Sequence, residues 1–228
     1  MYLKSANKTE PKEVSDIGFR PCRAQDVDTA VPLIYSSGPA AFDYVFCDGE
    51  KQQAQEFLRY AFVRGNSEFG YRQHIAAVID DQVVAVGAVR RSNQNLPFTL
   101  SAFMDIVRFY SPFAAARTVA RGLRTEMVIS PPKAGIGVIY HLGVAESRRG
   151  QGIGRALIAE LTENIQQQSL PVAALDVAET NPRAKELYLR LGFIAKRTKH
   201  SSLQSKFGRV TDHTYMEINF GNGNQLKL

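Results

Sequence analysis

The chain has 228 residues, 44% of them hydrophobic, which is ample for one sizeable core and on the high side for one domain. Lysine and arginine number 28 against 22 acidic residues, giving a formal charge of +6 and a pI near 9.4, a balance compatible with a nucleic acid, a membrane surface or an anionic ligand and selecting none of them. The two cysteines, Cys22 and Cys47, form no Cys-x-x-Cys pair and no His/Cys cluster has metal-ligand spacing, so no metal is expected. No apolar run approaches a membrane span, and the polar start lacks the apolar segment of a secretory signal; a cytoplasmic protein away from membranes is expected by elimination.

In chain order, residues 1–16 read as a flexible lead-in and residues 17–228 as a single domain. Residues 17–20 suit a short strand. Ala24-Gln25-Asp26 opens a helix with Val27, Ala30, Val31 and Ile34 on one side, stopped at Ser36-Ser37-Gly38-Pro39. A second helix is predicted over residues 51–62. The β-rich runs 73–79 and 82–89, joined at Asp80-Asp81, read as a hairpin. A helical insert follows over about 91–135, roughly 45 residues, too long for a structureless loop inside a compact domain. Within it Phe103, Ile106, Val107 and Tyr110 have helical spacing, and residues 113–127 form another helix. There Arg117, Arg121 and Arg124 share a face, read as solvated; a lid or a docking surface for an acidic partner is the sharper alternative. The last strands are expected at 193–195 and 211–220, with a polar loop over 201–208 between them.

Residues 141–157 carry the most information. A β-branched run over 137–144 enters a basic glycine-rich turn, and an amphipathic helix begins near Gly152. The first N–H groups of a helix lack intrahelical acceptors and the helix dipole makes that end partly positive, so strand, turn and helix in this order can hold a phosphate. Arg148, Arg149 and Arg155 add full charges, and glycine lets a diphosphate approach without meeting a Cβ. The glycines fall at 150, 152 and 154 with Arg155 where a dinucleotide fingerprint needs its third glycine, and no Gly-Lys-Ser/Thr is present, so neither that motif nor a Walker loop fits. A ligand-free glycine turn is the plain alternative.

Arg149-Gly150-Gln151-Gly152-Ile153-Gly154 fits Arg/Gln-x-x-Gly-x-Gly/Ala, and downstream stand Asn181-Pro182-Arg183 and Leu187-Tyr188-Leu189-Arg190-Leu191-Gly192-Phe193. Together they resemble the acetyl-CoA-binding motif and the following strand, Asn and helix of the GNAT superfamily of N-acyltransferases, over residues 137–193. The resemblance implies an α/β (α+β) GNAT fold: a central mixed twisted sheet flanked by helices, here with a helical insertion before the central strand. It implies an enzyme that moves an acetyl group from acetyl-CoA to a primary amine by direct attack in a ternary complex. The backbone of Leu142, Gly143 and Val144 would bind the pantetheine arm where two strands splay. Arg149, Gly150, Gln151, Gly152, Ile153, Gly154 and Arg155 would hold the pyrophosphate. Asn181 would contact the arm or act as a helix N-cap with Pro182 after it. Tyr188 would be the catalytic acid at the departing sulfur, worth about 10²–10⁴ in rate; its plain alternative is a packed aromatic with a satisfied hydroxyl. The partners expected are acetyl-CoA and an amine, small molecule or protein, with no nucleic acid and no membrane; a homodimer is left open.

The base is the open position. An alkyl ammonium of pKa about 10.4 costs roughly 4.6 kcal/mol to deprotonate at neutral pH. By strict alternation Val138, Tyr140 and Leu142 share one strand face and Ile139 and His141 the other. The resemblance places bases on the Val138/Tyr140 face, which carries no carboxylate and no histidine. His141 is thus one residue out of phase unless a bulge near Gly143 re-aims it. Glu146 is read as a solvated helix-start residue, and Asp176 as a strand-end turn residue that could instead order an amine. The missing base keeps a second class in play, a CoA-binding regulatory or sensor module without turnover.

Overall fold

The computed structural model describes residues 17–50, 52–222 and 225–227, so the lead-in expected over 1–16 lies outside it. In chain order the elements are β1 (Gly18–Pro21), α1 (Val27–Ser36), α2 (Pro39–Phe46), α3 (Gln53–Arg64), β2 (His74–Ile79), β3 (Gln82–Arg90), α4 (Asn95–Phe109), α5 (Pro112–Thr125), β4 (Ile136–Val144), α6 (Ile153–Gln167), β5 (Val172–Ala178), α7 (Pro182–Arg190), β6 (Ile194–Lys199), β7 (Gln204–Ser205), β8 (Gly208–Arg209) and β9 (His213–Asn219). Seven strands form one sheet in the order β1-β2-β3-β4-β5-β9-β6, antiparallel except for the central pair β4 and β5. No helix among the described residues is long and apolar enough to cross a membrane.

Two cores sandwich the sheet. On one face α6 lays down Ile153, Leu157, Ile158, Leu161 and Ile165, a stripe at helical spacing, and α7 adds Tyr188. On the other face α1, α2, α3, α4 and α5 build a second core around Phe42, Phe46, Phe57, Phe62 and Tyr110. The predicted hairpin at Asp80-Asp81 is present: both residues have positive φ (50° and 60°), the two-residue turn whose twist matches paired strands.

The structure departs from the sequence reading at four places outside the site. The first helix stops at Ser36 as expected, but Pro39 then sits in the first turn of an additional helix, α2, where its missing N–H costs nothing. The four residues read at helical spacing around α4 divide: Ile106 and Tyr110 join the core beside Phe98 and Asp105, while Phe103 and Val107 are 47% and 46% exposed. The α5 arginines are not a freely solvated face. Arg117 and Arg121 both bind Asp48, and Arg121 also donates to the Cys47 carbonyl at 2.7 Å. The acidic partner of this stripe is thus the chain itself, and it fastens the insert to the end of α2. The polar loop expected over 201–208 contains most of a small hairpin, β7–β8, which runs on to Arg209.

Candidate active site

The central strands pair only at their entry. Ile136, Gly137 and Val138 of β4 face Val172, Ala173 and Ala174 of β5; beyond that point the two strands run on without pairing to each other. β5 stays paired with β9 over its whole length, so β4 is the strand that leaves. A bulge accompanies the departure. Tyr140 lies opposite Ala88 of β3 and Gly143 opposite Val86, so β4 carries one more residue than its partner between those points. Leu142, Gly143 and Val144 lie on the splayed stretch: Leu142 is in the bulge, Gly143 and Val144 pair with Val86 and Ala85 of β3, and the opposite edge is open to an amide-bearing arm. Gly143 is required for packing as well. A Cβ there would stand 2.1 Å from the Leu33 carbonyl oxygen, because α1 crosses β4 in backbone contact.

The glycine turn follows directly. Gly150 and Gly152 have φ of +77° and +80°, values that side chains resist. The first backbone hydrogen bond of α6 runs from Ala156 N–H to the Gly152 carbonyl. The N–H groups from Gly150 to Arg155, Gln151, Ile153 and Gly154 included, have no partner among the described residues. Arg149 donates to the Val144 carbonyl at 3.3 Å, which draws its stem across the strand end. Arg148, Arg149 and Arg155 make no ion pair among the described residues, so the turn and the uncapped start of α6 carry three unpaired cations on one short stretch of chain. These groups suit a diphosphate. Glu146 lies exposed in the short turn before them.

Asn181 takes its plain role: its side-chain oxygen accepts from Ala184 N–H at 3.2 Å, capping α7, and its amide NH₂ is left for another partner. Tyr188 packs beside Phe193 on the α6–α7 side, only 8% exposed. Its hydroxyl has no hydrogen-bond partner among the described residues, and yet it is not sealed from solvent. The packed placement is the one the plain alternative expects, and the hydroxyl remains available to a donor role or to water. Burial pushes its pKa up to about 12, so it is a protonated donor at neutral pH.

The opposite face differs most from the sequence reading. Gly137, Ile139 and Leu142 pack toward α6, while Tyr140, His141 and Gly143 face the α1–α3 side. The bulge breaks the alternation: His141, at φ +53°, turns to the same side as Tyr140, and Leu142 takes the place that strict alternation gave His141. His141 Nδ1 lies 3.1 Å from Nε2 of His74, whose Nδ1 lies 2.9 Å from the Gly70 carbonyl. Burial lowers His74 to about 4 and holds His141 well below its ordinary value, with His74 and Arg90 adding to the second shift. Nearby, Tyr140 donates to the Glu68 carbonyl at 3.1 Å, and the Glu68 carboxylate pairs with Arg90. Burial raises the Glu68 pKa against the pull of Arg90. Sequence reading singled out neither His74 nor Glu68; each is an isolated polar residue beside an apolar strand, and only the third dimension joins it to β4.

Asp176 is also displaced from its reading as a strand-end turn residue. It sits inside β5 opposite Tyr215, on the splayed stretch and on the face turned away from α6. Burial raises its pKa to about 6 despite Lys199 and Arg197 nearby. Among the described residues no group of three or more His, Cys, Asp or Glu is placed to hold a metal ion.

Comparison with known proteins agrees with this fold. A stretch of 64 residues is 41% identical to the mycothiol acetyltransferase of Streptomyces avermitilis; it covers 28% of this chain and 21% of that protein's length. An N-acetyltransferase from Staphylococcus aureus Mu50 superimposes with a TM-score of 0.63 at 14% identity, over 88% of this chain and 100% of its own. Another solved acetyltransferase does so at 0.64 and 16% identity, over 88% and 98%. At such identities the superpositions speak for the fold: a mixed seven-stranded sheet flanked by helices. Residues 40–193 match the model of the acetyltransferase (GNAT) family, and this chain belongs to that family.

Proposed function

We propose that this chain transfers the acetyl group of acetyl-CoA to a primary amine by direct attack, with no covalent enzyme intermediate, and that residues 17–228 act as one domain. The observation that carries the reading is the continuity of the β4–β5 gap with the glycine turn. One open strand edge leads straight to a row of unpartnered N–H groups ringed by Arg148, Arg149 and Arg155. In this reading Leu142, Gly143 and Val144 receive the pantetheine arm through their open backbone edge. Residues 149–155 hold the diphosphate, and the free amide NH₂ of Asn181 reaches toward the arm. Bound acetyl-CoA supplies an activated thioester.

The chain's own residues then divide the work. Tyr188 enters from the α6–α7 side with its hydroxyl free to donate. Its pKa of about 12 lies above that of an ordinary thiol, ~8.5, so full transfer of its proton to a thiolate runs uphill by roughly 5 kcal/mol. Its contribution is therefore a donated hydrogen bond that strengthens as charge builds on sulfur. Of the two classes in play, a sensor module without turnover drew its support from the lack of a base on the central strand. His141, turned to the Tyr140 face, puts an imidazole where that reading had no basic group, which favours turnover.

The Streptomyces relatives are named for mycothiol, and the match to them spans about a fifth of their length. For this chain the acceptor class stays a primary amine. The test is incubation of pure protein with acetyl-CoA and a panel of amines, following free thiol. Release that depends on both the amine and the protein supports acetyl transfer; no release with any amine removes it.

A further inference from the structure

We propose that His74 and His141 form a relay that takes the amine proton, with His141 as the catalytic residue touching the amine and His74 as the residue that positions it. The inference rests on the acetyl-transfer reading above.

The chain of donors fixes where the lone pair lies. A backbone carbonyl can only accept, so the Gly70 oxygen obliges His74 to carry its proton on Nδ1. The neutral ring then offers Nε2 as an acceptor, and His141 must donate from Nδ1. The two rings are coplanar within 4°, with centroids 5.3 Å apart, so this bond lies in the plane of both rings, the favourable direction for imidazole. By elimination His141 keeps its free lone pair on Nε2. That atom has no hydrogen-bond partner among the described residues and is not sealed in the core.

The surroundings suit this task. Phe42 from α2 and Phe69 from the loop before β2 stand 5.4 and 5.7 Å from the His141 ring, and Tyr140 stands 4.5 Å away on its own strand. The charged and titratable groups around the ring are His74 on β2, Arg90 on β3, Tyr140 on β4 and Glu68, whose carboxylate Arg90 already holds. The loop that presents the Gly70 carbonyl is fixed by a backbone crossing: a Cβ on Gly70 would stand 2.4 Å from the Gly65 carbonyl carbon. In the reaction the amine nitrogen forms its bond to the acetyl carbon and the carbon–sulfur bond breaks, its electron pair leaving on sulfur. One N–H proton passes to His141 Nε2, and the resulting imidazolium returns it to solvent.

Two variants and one spectroscopic reading test this. His141→Gln keeps the ring's approximate length but removes the basic nitrogen; kcat should fall by about 10²–10⁴ with the acetyl-CoA dissociation constant within twofold of native. His74→Asn keeps a donor for the Gly70 carbonyl and removes the acceptor for His141, so kcat should fall by about tenfold. Nitrogen-15 NMR of ring-labelled protein without substrate should find native His141 protonated on Nδ1, and should find that preference lost in His74→Asn. A His141→Gln rate within twofold of native, or a native His141 protonated on Nε2, overturns the relay alone. Native protein that binds acetyl-CoA and acetylates no amine overturns the acetyl-transfer reading and the relay's role with it.

Discussion

The two faces of the sheet reach their working geometry over different distances along the chain. On the α6–α7 face everything proposed to touch the cofactor lies between Leu142 and Tyr188, and each feature is local: a turn, a helix start, an Asn-Pro cap. On the α1–α5 face the contacts that matter join residues far apart. His74 meets His141, Tyr140 meets Glu68, and α5 reaches back to Asp48. Short-range structure is written in consecutive residues, whereas long-range structure is decided by packing that consecutive residues do not display.

The comparison can be broken most forcefully on the local face. Replacing Arg149 by Glu and Gly152 by Asp puts two carboxylates where a diphosphate should sit and a side chain where φ is +80°. Acetyl-CoA affinity should fall at least a thousandfold, about 4 kcal/mol, by calorimetry. Retained affinity would place the ligand elsewhere. On the distal face the largest expected effect is acid lability. His74 is lowered to about 4 in the folded chain against 6.5 when unfolded, so its contribution is complete above pH 6.5 and is lost as pH falls toward 4. Native protein should lose up to ~3 kcal/mol across that window by chemical denaturation, and His74→Asn should flatten the loss. An identical slope in the variant would separate His74 from the acid transition.

Smaller effects sharpen the contrast. Tyr188→Phe should slow turnover by tens-fold, roughly 2 kcal/mol, without changing acetyl-CoA affinity; unchanged turnover would remove the hydroxyl from the reaction. Arg121→Ala should cost about 2 kcal/mol of stability, since this mostly covered guanidinium satisfies the Cys47 carbonyl and Asp48 together. The exposed Arg117→Ala should shift the melting temperature less. Asp176 works in the opposite direction to His74. Its folded pKa of about 6 lies above the ordinary 3.8, so the stability it gives as a neutral acid is present at low pH and lost as pH rises through 6. Asp176→Asn should therefore raise stability at pH 8 by about 1 kcal/mol after allowing for its partial exposure. A melting temperature that drops instead would mean the carboxylate has a partner that burial alone does not reveal.

What the sequence disclosed follows the same division. The glycine turn, the Asn181 cap and the hairpin at Asp80-Asp81 were legible because glycine, proline and aspartate act on their immediate neighbours. Alternation placed His141 on the wrong face because a one-residue bulge leaves no compositional trace; strand registry around Tyr140 decides it. Proline at position 39 is equally ambiguous, since it both ends one helix and starts the next. The arginine spacing on α5 was read with the right period, but its partner Asp48 lies 69 and 73 residues away in sequence.

The internal arginine pairings have a kinetic corollary. Arg20, Arg64 and Arg90 each hold a carboxylate of this chain and Arg117 and Arg121 share that of Asp48, so most of their field is cancelled at a distance. Arg148, Arg149 and Arg155 hold none among the described residues, and they stand together at one helix end. A diffusing polyanion is therefore attracted toward the very spot that can grip it. Capture should be fast in dilute buffer and slower as ionic strength shortens the reach of that attraction to about 10 Å at 0.1 M, with escape from the bound state changing far less.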